Sequence, residues 1–234
     1  MSQKNEPRVE RHCSIFDFEQ SWYELLTDDE KSLIDEHSVS INFKKGETIC
    51  KQGAFASHLF FLEEGLVKVY LEEKNKNLIL NLATNMSLLA ISSVFEGNNK
   101  LPYSIVAYTD SRIQMIDIQI FRQLLKQNAT FSYRVINILN ENTAQIYGRF
   151  FSLTQKQLHG RLADILLCLS TRIFKAKSFD LPLSRADLGD LTGMSTESVI
   201  RMMKEFKDDG LIAMHCKSIE LLDIARLERI SEFG

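Results

Sequence analysis

Between residues 185 and 204 the chain reads RADLGDLTGMSTESVIRMMK, a run in which hydroxyl, carboxylate and guanidinium side chains recur at helical intervals around two glycines. A helical period turns Leu188, Val199 and Met202 inward and leaves Thr196, Glu197, Ile200, Arg201 and Lys204 on the outer face. The spacing predicts two short helices joined by a tight turn. Gly189 supplies the small residue needed where such helices touch, and Gly193 supplies one that accepts positive φ in the turn. A second helix with this outer face suits DNA, which presents phosphates to cations and hydrogen-bonding groups on its base edges.

The rest of the chain must position that helix, because no other stretch gathers comparable chemistry. No nucleophile–base pair, metal-ligand spacing or phosphate-cradling glycine loop appears, so no catalytic residue, metal or cofactor is assigned and an enzyme finds no support. Cys13, Cys50, Cys168 and Cys216 are too scattered for a disulfide framework or a metal site and read as buried or idle thiols. With 234 residues, 44% hydrophobic and 25% charged, the composition is that of a globular protein of two modest domains. The N-terminus has no apolar core with a cleavage site, and no run approaches the roughly 18 apolar residues of a membrane span. A cytoplasmic protein without a membrane partner is expected. The net charge of −3 argues against nonspecific coating of nucleic acid. Residues 155 to 234 carry 12 Lys plus Arg against 12 Asp plus Glu, so any basic face must come from placement.

Taken in order, residues 1–20 are polar and aperiodic and read as a poorly ordered arm. Thr27-Asp28-Asp29-Glu30 has the form of a capping box and opens a helix that stops near His37. From Val39 to Asp117 short apolar runs alternate with glycine and charged turns, predicting strands at 39–43, 48–51, 58–63, 65–72, 78–83, 103–107 and 112–117 in an antiparallel barrel or roll. A brief helix is expected inside it at 87–95. A short helix follows at 117–126, and after Asn128 comes a longer one on which Ser132, Ile136, Leu139, Thr143, Ile146, Phe150 and Leu153 recur in heptad fashion. Such a seam normally meets a copy of itself, which predicts a homodimer; the alternative is that these residues face the neighbouring roll. A helix at 156–174 leads through a cap at Ser184 into the paired helices. Gly210 stops the second of these, a hairpin at 211–214 and 218–222 forms a wing, and 223–230 closes the chain as a helix.

From about Trp22 to Ile230 the chain resembles the bacterial CRP/FNR family of transcription regulators. The resemblance rests on KKGETICKQG (44–53), EEGLVKVY (63–70), GRLADILLCLS (160–170) and LSRADLGDLTGMSTESVIRMMKEFKDDGLI (183–212). It implies an α+β fold with an N-terminal antiparallel β-roll of the jelly-roll-like kind, a long dimerisation helix and a C-terminal winged helix-turn-helix. The implied domains are an arm at 1–20, a cyclic-nucleotide-binding-like sensory β-roll at 21–127, a dimerisation helix and hinge at 128–153, and the DNA-binding domain at 154–234. Dimer contacts fall on Ile136, Leu139, Thr143, Ile146 and Phe150.

The family reads base edges from positions that match Thr196, Glu197, Ile200 and Arg201 here. The chemistry agrees, since Arg201 can donate two parallel hydrogen bonds to guanine O6 and N7 and Glu197 can accept from cytosine N4. The alternative for this pair is an intrahelical ion pair that reads nothing. Arg185, Ser195, Ser198 and Lys204 are assigned to phosphates, with Lys156 or the wing's Lys217 giving further contacts on bent DNA. Double-stranded DNA, a second copy of the chain and RNA polymerase are the implied partners, the last through the EEKNKN turn (72–77) and a surface loop around Lys175 to Phe179. In the slots where cyclic-nucleotide binders carry Gly-Glu and Arg-Ser or Arg-Thr, this chain has Ala90-Ile91 and Leu101-Pro102. A buried cyclic phosphate would lack its arginine, at a cost of several kcal/mol. The cysteine cluster of the iron–sulfur members is also missing, with Cys13 alone in that region. The cofactor and effector are thus unknown: either an apolar effector takes a pocket near Leu89, Ile91, Leu101 and Tyr103, or nothing replaces the missing ligands. A second reading keeps the roll as a small-molecule sensor and gives the C-terminal half to protein contacts.

Overall fold

The computed structural model of the chain describes Ile15 and residues 22–74, 76–97 and 99–234. Thr27 closes the expected capping box at the head of α1 (Asp28–Glu36): its hydroxyl accepts the Glu30 N–H, and the Glu30 carboxylate accepts the Thr27 N–H at 2.8 Å. Eight strands follow: β1 (Ser38–Phe43), β2 (Thr48–Cys50), β3 (His58–Glu64), β4 (Val67–Glu73), β5 (Lys76–Ala83), β6 (Ser87–Leu89), β7 (Ser104–Ala107) and β8 (Ser111–Asp117). They pair antiparallel in two four-stranded sheets of order β1-β8-β3-β6 and β2-β7-β4-β5, which form the roll. The helix expected at 87–95 is instead β6 followed by a 3-10 turn at Ile91–Val94. Leu88 and Leu89 pair with Phe61 and Phe60 of β3. A short apolar run buried all round has no periodicity to separate strand from helix, and here the open edge of β3 decided it.

The roll closes on a core in which Trp22 meets Phe61 edge-on at 5.3 Å and Phe121 at 6.0 Å between ring centroids. Phe121 lies on α2 (Ile118–Gln127), capped by Asp117, and α3 (Ala129–Gln155) follows behind its own cap, Asn128, whose side chain accepts the Phe131 N–H. Phe131, Val135 and Ile138 of α3 are buried against this core. Most of the predicted arm lies outside the described residues, but Ile15 is fully buried and its carbonyl accepts the Leu82 N–H at 2.7 Å. At that residue the expectation of a loose arm is corrected, because a lone apolar side chain carries no periodic signal of its burial site.

The C-terminal half contains α4 (Leu158–Cys168), which continues as a single wider turn over Leu169–Ile173, then β9 (Ser178–Asp180), α5 (Arg185–Thr192), α6 (Thr196–Asp208), β10 (Ile212–His215), β11 (Ser218–Leu221) and α7 (Ile224–Phe233). The hairpin β10–β11 is the expected wing. It gains β9 as a third strand through Phe179 opposite Ile219, and Phe179 is buried on the ring of Phe174 at 4.7 Å. The loop expected around Lys175 to Phe179 is therefore exposed only up to Ser178. Cys168 is disulfide-bonded, which corrects its reading as an idle thiol; sequence spacing alone does not show which thiols approach one another. Cys50 and Cys216 are free, and Cys13 lies outside the described residues. Leu188, Leu191, Val199 and Phe206 share one buried cluster with Ile79 and Leu82 of the roll, so the paired helices rest on sheet β4–β5. No helix among the described residues is long and apolar enough to cross a membrane.

Candidate DNA-reading interface and effector pocket

The hydroxyl of Ser184 caps α5 by accepting the Asp187 N–H, and the Asp187 carboxylate reaches back to the Ser184 N–H, giving a second capping box. Gly193 ends α5 at φ 66°, the left-handed conformation that favours glycine. A Cβ on Gly189 would stand 2.8 Å from the Met194 carbonyl oxygen, so only glycine allows the turn to pack this closely. Ser195 then caps α6 by accepting the Ser198 N–H. Val199, Met202, Met203 and Phe206 are buried on one face of α6. Thr196, Glu197, Ile200, Arg201 and Lys204 are exposed on the other, with Ile200 52% accessible. The two faces are those the sequence predicts.

Arg201 does not pair with Glu197. Its Nε lies 3.9 Å from Glu205 one turn further on, and Glu205 also meets His159 Nε2 at 2.9 Å. Among the described residues no ion pair engages Glu197, which leaves it in the exposed first turn of α6. The proposed phosphate residues are placed unequally. Lys204 and Ser195 are exposed, and the Ser195 and Ser198 hydroxyls are hydrogen-bonded to each other at 3.0 Å. Arg185 is half-buried with its guanidinium 3.6 Å from Met214 Sδ, and burial lowers its pKa. Lys156 is held by Asp164 at 2.6 Å, so it is not offered to DNA as expected, whereas Lys217 stands exposed on the wing.

Two contacts tie α5 to the roll. Lys68 of β4 bonds Asp187 at 3.0 Å, and its ammonium also lies 5.1 Å and 5.3 Å from the ring centres of Tyr70 and Tyr108. Burial pushes the Asp187 carboxyl up, but the Ser184 hydroxyl and amide together with Lys68 hold it below the usual range. The Tyr108 hydroxyl is buried near Asp187 outside hydrogen-bonding geometry, and burial raises its pKa. Further along, Arg149 of α3 donates from Nη2 to the carbonyls of Ile79 and Leu191, bridging β5 and α5. Burial lowers the Arg149 pKa to about 10.

The helix α3 has two distinct apolar faces. One, through Phe131, Val135 and Ile138, is buried on the roll. The other carries the heptad seam, where Ile136, Ile146 and Phe150 are 54%, 59% and 69% exposed, Leu139 is exposed and Thr143 stands among them. Most of the seam thus lies off the roll core, although Ile146 also borders the roll. Between the roll and α3 lies a pocket of about 100 Å³. Leu89 and Tyr103 line it as expected, but Ile91 and Leu101 do not. Ala90 adopts a left-handed φ of 62° and sends Ile91 into the roll core, while Leu101 is buried where its backbone bonds Gly53 and Ala54. Sequence reasoning missed the helical wall of this pocket, formed by Asn142, Gln145, Ile146 and Arg149. Their spacing of i, i+3, i+4 and i+7 marks one helical face and was available as a signal. Among the described residues no cluster of three or more His, Cys, Asp or Glu could hold a metal ion.

Residues 40–128 match the family model of the cyclic nucleotide-binding domain, and residues 160–230 match that of the Crp-like helix-turn-helix domain. The chain is similar to the cAMP-activated global transcriptional regulator CRP of Salmonella typhimurium, at 25% identity over 176 residues, covering 74% of this chain and 84% of that protein. It is also similar to the transcriptional activator protein anr of Pseudomonas aeruginosa, at 24% identity over 189 residues, covering 79% of this chain and 77% of the relative. Among solved structures, FixK2 from Bradyrhizobium japonicum superposes with a TM-score of 0.75 at 18% identity, over 82% of this chain and 96% of that one.

Proposed function

The chain belongs to the CRP/FNR family of transcription regulators, and on that premise we propose that it reads a palindromic operator as a homodimer in the cytoplasm and acts there on RNA polymerase. The family is one of DNA-binding regulators that act as dimers, and its relatives here are regulators rather than enzymes. The observation that carries the finer reading is the exposed outer face of α6, held by two capped helix starts and a glycine turn. In this reading Arg201 and Glu197 address guanine and cytosine edges, Ile200 and Thr196 meet the apolar and polar groups beside them, and Ser195, Ser198, Lys204 and Arg185 hold phosphates. The exposed seam through Ile136, Leu139, Thr143, Ile146 and Phe150 pairs with its copy, which sets the two α6 helices about 34–36 Å apart in successive major grooves. The 72–77 turn and the exposed residues from Lys175 to Ser178 are the faces proposed for polymerase. The roll acts as the sensor, with its effector in the pocket beside Leu89 and Tyr103. In this reading cyclic AMP is not that effector, because Ala90-Ile91 and Leu101-Pro102 replace the Gly-Glu and Arg-Ser or Arg-Thr pairs of cyclic-nucleotide binders.

Selection of bound sequences from random DNA, followed by salt titration on the selected site, tests this reading. For six phosphate contacts the affinity should fall on the order of 10³-fold between 50 and 200 mM salt. A flat response, or no enriched sequence, would return the C-terminal half to protein contacts. Phe150→Lys, which sets like charges opposite each other across the seam, should convert the dimer to monomer in sedimentation, and an unchanged dimer would remove the seam.

A further inference from the structure

Among the described residues, the lining of the pocket between the roll and α3 includes one charge, Arg149, and no counter-ion is in contact with it. Arg149 is 5% exposed, its Nη2 donates only to the neutral carbonyls of Ile79 and Leu191, and its Nε–H meets no acceptor among the described residues. Asp164 acts on it only as a nearby charge, and no second cation lines the pocket. A buried guanidinium with an unused donor is a costly arrangement that an anion would relieve. Leu88 and Leu89 of the roll and Ile146 of α3 supply hydrocarbon to the lining. The volume of about 100 Å³ is well below the roughly 300–1,000 Å³ of pockets for drug-sized ligands.

We propose that this pocket binds a short organic carboxylate on Arg149, with its hydrocarbon part against Leu88, Leu89 and Ile146, and that this ligand competes with the Leu191 carbonyl for the guanidinium. The inference rests on the reading of the roll as a sensor and gives that sensor its ligand class. A single cation matches a monocarboxylate better than a phosphate dianion, and the apolar wall favours a carbon chain over an inorganic ion. A carboxylate takes an arginine in parallel by Nε–H and one Nη–H. The Nη2 group on that edge already spends its hydrogens on Ile79 and Leu191, so the fork forms only when one is released. Leu191 lies in the last turn of α5, and its release loosens the paired helices from the roll.

Calorimetric titration of the full-length protein with sodium butyrate, its neutral isostere butyramide and cyclic AMP tests the proposal. Butyrate should saturate one site per chain, with butyramide and cyclic AMP at least tenfold weaker. Arg149→Lys keeps the charge but removes Nε, and Leu89→Phe fills the cavity; either variant that retains the wild-type circular dichroism should lose butyrate affinity at least tenfold. Exchange of the α5 amides should quicken severalfold in butyrate. Equal binding of butyrate and butyramide, tighter binding of cyclic AMP, no saturable binding of butyrate, or full affinity in a folded variant would overturn the carboxylate assignment. Unchanged α5 exchange in saturating butyrate would overturn the competition. If a small-molecule fraction of cell extract still alters operator affinity after such a failure, the sensor reading survives and the ligand class falls; if neither acts, both fall.

Discussion

The paired helices α5 and α6 draw what shapes them from residues 184 to 206, whereas the pocket draws on β4, β5, β6, the turn before β7 and α3, from Val69 to Arg149. Caps, a left-handed glycine and one close helix contact are interactions over three to five residues, and they set where the two helices start, stop and turn. The pocket exists only where five separated segments converge. A change there can alter the pocket without touching the outer face of α6. The two regions nevertheless meet physically, through Arg149, through Lys68 and Asp187, and through the cluster that Leu188 and Leu191 share with Ile79 and Leu82.

That meeting can be broken at its apolar centre first. Leu191 is fully buried in the shared cluster, and Leu191→Ala should cost about 2–5 kcal/mol, lowering one cooperative transition in scanning calorimetry. Two separate transitions, with only the later-chain half affected, would show the regions to be independent. A smaller effect is expected on the reading face. Arg201→Ala should cost about 1–3 kcal/mol of affinity for the selected operator and relax specificity at one base pair. Equal losses on unrelated DNA would make Arg201 a phosphate contact. The smallest effect is the pH response of the Lys68–Asp187 contact. The Asp187 pKa is lowered in the folded protein, so its contribution is complete above the ordinary carboxylate range and is lost as pH falls through the lowered value. Asp190 opposes it, since burial raises its pKa and its protonation relieves a cost. Melting from about pH 5 to about pH 2 should therefore show less acid sensitivity in Asp187→Asn than in the parent; equal sensitivity would assign the response to other carboxylates.

Much of the reading unit was legible before any coordinates. Gly189 and Gly193, the Ser184 cap and the division of α6 into Val199 and Met202 inside against Thr196, Glu197, Ile200 and Arg201 outside all follow from helical period and cap chemistry. The seam on α3 was legible as an apolar stripe, and its Ile136, Ile146 and Phe150 are exposed. Other features were not legible for definite reasons. Leu88 and Leu89 form a strand because β3 offers them hydrogen bonds, and a buried apolar triplet carries no periodicity that announces this. Ile91 and Leu101 turn away from the pocket because of a left-handed Ala90 and a backbone contact to Gly53 and Ala54. Lys156 looked available for phosphate until Asp164, eight residues later, was found to hold it.

By itself, the amino-acid sequence determined the two paired helices and which side of the second faces out, since these follow from spacings of three and four residues and from side chains that bond their own backbone. Only the tertiary structure decided that Arg149 is a buried cation bridging β5 and α5 and that Lys68 clasps Asp187. Desolvation and ion pairing depend on how near distant segments come, and partners separated by 42, 70 and 119 residues leave no local pattern to read.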